Sequence, residues 1–174
     1  EMWSAATALG VTVGSALEMG CGSGTFIGLA PEHVAMTGVE LDPTTAAVAA
    51  ALYPDATIRA ESFADSRFIP GSFDVAIGNV PFGDLVLHDP VHNQNKHSIH
   101  NHFLVKAVDL VQPGGLVVAL TSAYTMDAQN PAARREIFDR ADLVAAVRLP
   151  TGAHRRTAGT DALTDLLILR RRLA

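Results

Sequence analysis

The sequence predicts an α/β domain built on a seven-stranded, mostly parallel sheet with an antiparallel last strand. Three observations carry this expectation. Short apolar runs of strand-like composition recur seven times, helical patterns separate most of them, and Pro and Gly stand between the runs as punctuation without any internal repeat. Strands that alternate with helices need crossover connections, which make the strands parallel and cover both faces of the sheet. The last two strand candidates are joined by a loop without an obvious helix, so the final strand is expected to reverse direction.

The elements follow in order. The chain opens inside a helical pattern, MWSAATAL from Met2, and the first strand is expected at 15–19 (SALEM). A glycine-rich turn and a helix over 24–30 lead to the second strand at 34–39 (VAMTGV). Pro43 opens the next helix, 43–53, in a first turn where its missing N–H costs nothing, and the third strand is expected at 56–60. The fourth strand, 73–78 (FDVAIG), runs into NVPFG. A helix over 99–111 precedes the fifth strand at 115–121 (GLVVALT), and a helix over 131–140, with Pro131 in its first turn, precedes the sixth at 142–149 (DLVAAVRL). The seventh strand is TDLLILR, 164–170.

Composition limits what such a domain can be. At 174 residues, 48% hydrophobic and 18% charged, the chain supports one core burying about 70% of the surface its unfolded form exposes. Disordered and fibrous classes are excluded. No apolar run reaches the roughly 18 residues of a membrane span and no charged-then-apolar leader opens the chain, so a cytoplasmic protein without membrane contact is expected. The single cysteine, Cys21, cannot form an internal disulfide and suits a reducing compartment. A chain that starts at Glu1 in mid-helix reads as a piece of something larger. The net charge of -5 argues against a free-standing nucleic-acid binder, so a polyanion must meet a local patch. Two patches qualify: Arg155 and Arg156 in a Gly- and Thr-rich loop, and Arg170, Arg171 and Arg172, which read more simply as the solvated end of a strand.

Ligands of such sheets gather beyond the carboxyl ends of the strands, where strand order reverses. LEMGCGSGTF sets Gly20, Gly22 and Gly24 directly after the first strand, where glycine lets the backbone approach a ligand closely. Eighteen residues after Gly22 the second strand ends in GVELDP, which places Glu40 to accept both hydroxyls of a ribose. Together these two strand ends indicate a nucleotide-like cofactor. The spacing is Gly-x-Gly-x-Gly with Glu18 ahead of it, and it resembles the first motif of S-adenosylmethionine-dependent methyltransferases. The resemblance implies a Rossmann-like fold and S-adenosylmethionine as cofactor. It places Glu18, Gly20, Gly22, Gly24, Glu40 and Leu41 at the cofactor. In RAESFADSRF, which offers Glu61, Phe63 and Asp65, it implies an acid at the adenine amine and an aromatic on the ring, matched by Glu61 and Phe63.

NVPFG, at the end of the fourth strand, resembles the Asn-Pro-Pro-Tyr/Phe motif of methyltransferases that modify exocyclic or amide nitrogens. An adenine amine shares its lone pair with the ring, so the site must accept its two hydrogens while the nitrogen pyramidalises toward the methyl group. Neutral acceptors suffice, because the sulfonium is already activated and the proton can leave afterwards. The resemblance gives these tasks to the Asn79 side-chain oxygen and the Val80 carbonyl, places Pro81 in the same motif, and sets Phe82 against a base swung out of its duplex. Asn79 also borders the cofactor. Val80 stands where the family usually has proline. The change is tolerable if the acceptor is main chain, since a residue before Pro81 is already held extended.

The next segment, GDLVLHDPVHNQNKHSIHNHF, carries His88, His92, His97, His100 and His102 at irregular spacing. No Cys or paired carboxylates join them, so no metal is expected, and the segment reads as a solvated, mobile loop facing the substrate, with Lys96 and the histidines available to nucleic acid. From there on, the order of helix, PGG strand, RLP and AGT…TD strand resembles adenine-specific DNA methylases of large methylase-helicase proteins from phages and conjugative elements. The resemblance covers nearly the whole chain. It implies methyl transfer to the N6 of adenine in DNA, with Phe82, Arg155 and Arg156 contacting substrate. It further implies that 1–174 is a catalytic domain partnered by target-recognition and helicase regions, with the recognition region and a cofactor segment ahead of Trp3 missing or shortened. Two alternatives remain: a methyltransferase for an RNA base amine or a protein glutamine amide, and a degenerate cofactor-binding scaffold.

Overall fold

The computed structural model describes residues 1–150 and 162–173. Its elements are α1 (Met2–Ala8), β1 (Gly14–Met19), β2 (Val34–Glu40), α2 (Pro43–Leu52), β3 (Thr57–Ala60), β4 (Phe73–Asn79), α3 (Ile99–Leu110), β5 (Val111–Ser122), α4 (Tyr124–Asp127), α5 (Ala132–Arg140), β6 (Ala141–Arg148) and β7 (Thr164–Arg171). The seven strands pair in the order β3-β2-β1-β4-β5-β7-β6. β1 through β5 are parallel, and β7 runs antiparallel to both β5 and β6, between which it is inserted. Strand order therefore reverses between β1 and β4.

Period-2 alternation explains why both faces of the sheet are buried. Leu17, Met19, Ala76, Val117 and Ala119 join Leu104, Val108 and Ile137 in one core layer beneath α3 and α5. Ala16, Val75, Ile77, Leu116 and Val118 point the other way and meet Met2, Trp3 and Ile27 in a second layer. Asp42 caps α2 by accepting from the Thr45 amide at 2.8 Å, and Pro43 takes the first helical turn.

Three local expectations are corrected. Residues 24–30 form turns rather than a helix, because the Glu18 carboxylate accepts from the Phe26 and Ile27 amides and glycines at 22, 24 and 28 lower helical propensity. Pro131 is the N-cap of α5 rather than part of its first turn. The histidine-rich segment is not a solvated loop. Asp89, Asn93, His97, His100 and His102 are buried, His97 pairs with Glu136 at 2.7 Å, and His102 pairs with Asp89 at 3.1 Å. Carboxylates do join these histidines: Asp89 from within the segment, and Asp109 and Glu136 from farther along the chain, beyond the reach of local spacing. Among the described residues no group of three or more such side chains is placed to hold a metal ion, and no helix is long and apolar enough to cross a membrane.

Candidate active site

Register brings the predicted residues together. Met19 pairs with Val39 and Glu18 with Ile77, so the chain leaves β1 at Gly20 with Glu40 on one side and Asn79 on the other. β1 and β4 approach closely at this point because residue 78 lacks a side chain: a Cβ on Gly78 would lie 3.0 Å from the Met19 carbonyl oxygen. Gly20 and Gly22 hold φ of 64° and 55°, in the left-handed region that favours glycine. A Cβ on Gly22 would meet nothing within 4 Å, so packing does not explain the residue, whereas backbone conformation and room for a ligand do.

A cavity of about 490 Å³ opens there, within the range of small-molecule and cofactor sites. Gly20, Glu40, Leu41, Glu61, Phe63, Asn79, Val80, Pro81 and Phe82 all line it. Glu40 accepts from the Gly22 amide and the Asp42 amide, each at 2.9 Å, one on each carboxylate oxygen. A carboxylate offers about four lone-pair sites, so two remain for a pair of hydroxyls. Glu61 forms an ion pair with Arg59 at 2.6 Å and donates its amide to the Glu40 carbonyl at 3.0 Å. Phe63 is a core residue, 4.6 Å from the Phe103 ring centre, and offers the cavity only part of its ring. Leu41, by contrast, is 72% exposed at the cavity wall. The donor set and the open glycine backbone fit a ribose-bearing cofactor.

Other predicted residues are placed elsewhere. Glu18 does not line the cavity. It is 2% exposed, accepts from Ile27 at 2.8 Å and Phe26 at 3.3 Å, and holds the glycine loop against the sheet. Burial raises its pKa to about 7, against the opposing effect of those two amides. Gly24 packs against Tyr53, whose ring would lie 2.7 Å from a Cβ there. Cys21 is buried and its thiol is pushed up to about 12, first by burial and then by Glu18 and Glu40, so it is no nucleophile. Asp65 is exposed and stands outside the cavity wall. Arg155 and Arg156 lie outside the described residues. Arg171 bonds the Asp109 and Val111 carbonyls at 2.6 Å, Arg170 reaches the Leu9 carbonyl at 3.4 Å, and Arg172 pairs with Asp142 at 2.8 Å.

Asn79 is exposed at the tip of β4, and Val80 buries its side chain while its amide donates to the Leu120 carbonyl at 3.0 Å. Phe82 is 37% exposed and lines a second cavity as well, of about 550 Å³, whose wall includes Gly83, Asp84, His100, Ser122, Tyr124 and Asp127. The sequence analysis singled out none of these last three residues. Also unforeseen is the fully buried Lys106. Its ammonium bonds the carbonyls of Ala64 and Ser66 at 3.3 and 3.0 Å, and that of Phe63, and pairs with Asp89 at 3.1 Å. It thereby ties the segment after β3 to the segment after the Asn79 motif.

A family model described as a methyltransferase domain matches residues 17–119. The Defense against restriction protein B of Escherichia phage P1 is 26% identical over 178 residues, covering 98% of this chain, which spans 8% of that protein's length. Among solved structures, a modification subunit assigned to a type I restriction enzyme of Vibrio vulnificus YJ016 superposes with a TM-score of 0.78 at 19% identity, over 98% of this chain and 44% of the other. A Listeria monocytogenes protein assigned as a class I S-adenosylmethionine-dependent methyltransferase gives 0.76 at 17% identity, over 98% of this chain and 59% of the other. The chain belongs to the methyltransferase domain family, and its fold is that of the S-adenosylmethionine-dependent methyltransferases.

Proposed function

We propose that this domain transfers the methyl group of S-adenosylmethionine to the exocyclic N6 of adenine in DNA. The observation that carries the reading is the shared wall: Phe82 lines both the cavity that holds Gly20, Glu40 and Asn79 and the neighbouring cavity beyond it. One cavity takes the cofactor and the other the acceptor ring, with the Asn79 motif at their junction. Glu40 would bind the ribose hydroxyls, Leu41 and Phe63 would flank the adenine of the cofactor, and Glu61 would accept from its amine. Bound S-adenosylmethionine supplies a methyl group on an electron-poor sulfonium.

The chain's own residues act on the acceptor. Asn79 Oδ1 and the Val80 carbonyl hold the two amine hydrogens, which turns the nitrogen lone pair out of the base plane, and Phe82 stacks on the ring. A C–N bond forms as the C–S bond breaks, and the amine then gives one proton to solvent. Uncharged acceptors are enough for this. The choice of DNA rests on the two restriction-related relatives, the modification subunit and the phage protein. This chain spans 8% of the phage protein, which supports its place in a larger polypeptide, and target-recognition and helicase regions are the proposed partners there.

Exchange of Asn79 for Ala tests the assignment. Turnover should fall by about 100-fold or more, as when a preorganised polar group at a reacting centre is removed, while calorimetry finds S-adenosylmethionine affinity changed only about 3-fold. Labelled methyl incorporation is measured side by side on DNA, RNA and protein. Label in RNA or protein alone would refute the choice of DNA, and cofactor binding lost together with turnover would refute the role given to Asn79.

A further inference from the structure

Two aromatic rings border the second cavity, and they stand there differently. Of the Phe, Tyr and Trp side chains among the described residues, only Phe82 and Tyr124 are exposed, and both line this cavity. A single exposed apolar side chain is ordinary on a protein surface, whereas two exposed rings meeting at one cavity point to a ligand with flat faces. Phe82 is 37% exposed, as suits a ring backed by protein that shows one face. Tyr124 is 72% exposed, so most of its ring is open and it projects at the rim.

The main chain beneath Tyr124 is held from several sides. Ser122 Oγ accepts from the Tyr124 amide at 3.2 Å, and the buried Thr121 and Thr125 hydroxyls bond each other at 3.0 Å. Arg134 donates to the Thr125 carbonyl at 3.2 Å, Met126 packs against the core, and Asp127 pairs with Arg148 at 2.9 Å. A preordered support under an open ring lowers the cost of binding a flat group there. Among the described residues the cavity wall carries Asp84 and Asp127 and neither Lys nor Arg, which suits the face of a base and not a phosphate.

We propose that Tyr124 is a DNA-binding residue outside the methyl-transfer centre, stacking on the base next to the target adenine. The proposal rests on the reading of the two cavities given above, with Phe82 against the target adenine, and adds the residue that holds the strand beside it. A base swung out of its duplex leaves its neighbour with one bare face. The Tyr124 ring covers that face and takes the place of the lost stacking partner. Every base has such a face, so the contact adds affinity without sequence preference.

The test uses the full chain, as wild type, Tyr124→Ala and Tyr124→Phe. Sequencing of DNA methylated by wild type maps the target adenine. Short duplexes around it are then made intact, or with an abasic site on the 5′ or the 3′ side of the target. On intact DNA, Tyr124→Ala should raise KM about 10-fold with kcat near wild type, and Tyr124→Phe, which keeps the ring, should restore the wild-type KM. On the duplex with the abasic site on one of the two sides, wild type and Tyr124→Ala should have the same KM, because the partner of the ring is gone. S-adenosylmethionine affinity and the melting temperature should stay near wild type for both variants. Four results overturn the proposal: Tyr124→Ala with wild-type KM on intact DNA, Tyr124→Phe as impaired as Tyr124→Ala, a Tyr124→Ala defect of equal size on all three duplexes, or kcat falling while KM stays unchanged. A wild type that methylates adenine in no DNA overturns the DNA reading itself, and the role of Tyr124 with it.

Discussion

Exchange of Glu18 for Gln removes the titrating proton of the buried carboxyl. Glu18 accepts from the Ile27 amide through Oε2 and from the Phe26 amide through Oε1, so a glutamine carbonyl keeps the shorter bond to Ile27 and loses the longer one to Phe26, a cost that does not change with pH. Burial raises the Glu18 pKa from 4.5 to about 7. At pH below 4.5 the group is protonated in the folded and unfolded chains alike and costs nothing. As pH rises from 4.5 toward 7 the unfolded chain ionises while the folded chain holds its proton, so the stability associated with this proton is lost over that window. At 1.36 kcal/mol per unit, the loss levels off at about 3 kcal/mol above pH 7. Glutamine has no proton to lose. The stability of Glu18→Gln relative to wild type should therefore rise by about 3 kcal/mol between pH 4.5 and pH 8. Urea unfolding at a series of pH values measures this, followed by fluorescence of Trp3, whose indole donates to the Phe26 carbonyl of the same loop at 2.7 Å. Parallel stability curves for the two proteins would refute the reasoning.

Glu40→Ala removes the acceptor of the Gly22 and Asp42 amides along with the proposed ribose contacts, and should weaken S-adenosylmethionine about 100-fold by calorimetry. Lys106→Met leaves Asp89 and the Phe63, Ala64 and Ser66 carbonyls buried without their cation, and should destabilise the fold by about 3–5 kcal/mol in urea unfolding. Gly78→Ala forces β1 and β4 apart where the cavity opens. It should lower the melting temperature by several degrees and weaken cofactor binding, read by calorimetry and differential scanning.

The strands and the two glycine- and asparagine-bearing strand ends were legible because their signals are local. SALEM, FDVAIG and GLVVALT alternate or run apolar within the reach of one strand, and the residues expected at the ligand lie beside them. What escaped depends on distant partners. The pattern over 24–30 looks helical until Glu18, eight and nine residues upstream of Phe26 and Ile27, claims their amides. The same contact turns Glu18 from a cofactor candidate into a support for the loop. Lys106 lies among apolar neighbours in α3, and nothing local reveals that the carbonyls it meets lie about forty residues earlier. The histidines looked solvated for the same reason: their carboxylate partners include Asp109 and Glu136, from two separate helices.

The placement of Lys106 bears on how such domains can be recombined. One ammonium closes the carbonyl ring of Phe63, Ala64 and Ser66 after β3 and holds Asp89 in the segment that follows the Asn79 motif. The two surface segments therefore cannot be grafted from a relative one at a time, because either transplant alone would have to fit an anchor shaped by the other. Chimeras should tolerate exchange of both segments with α3 as a single cassette.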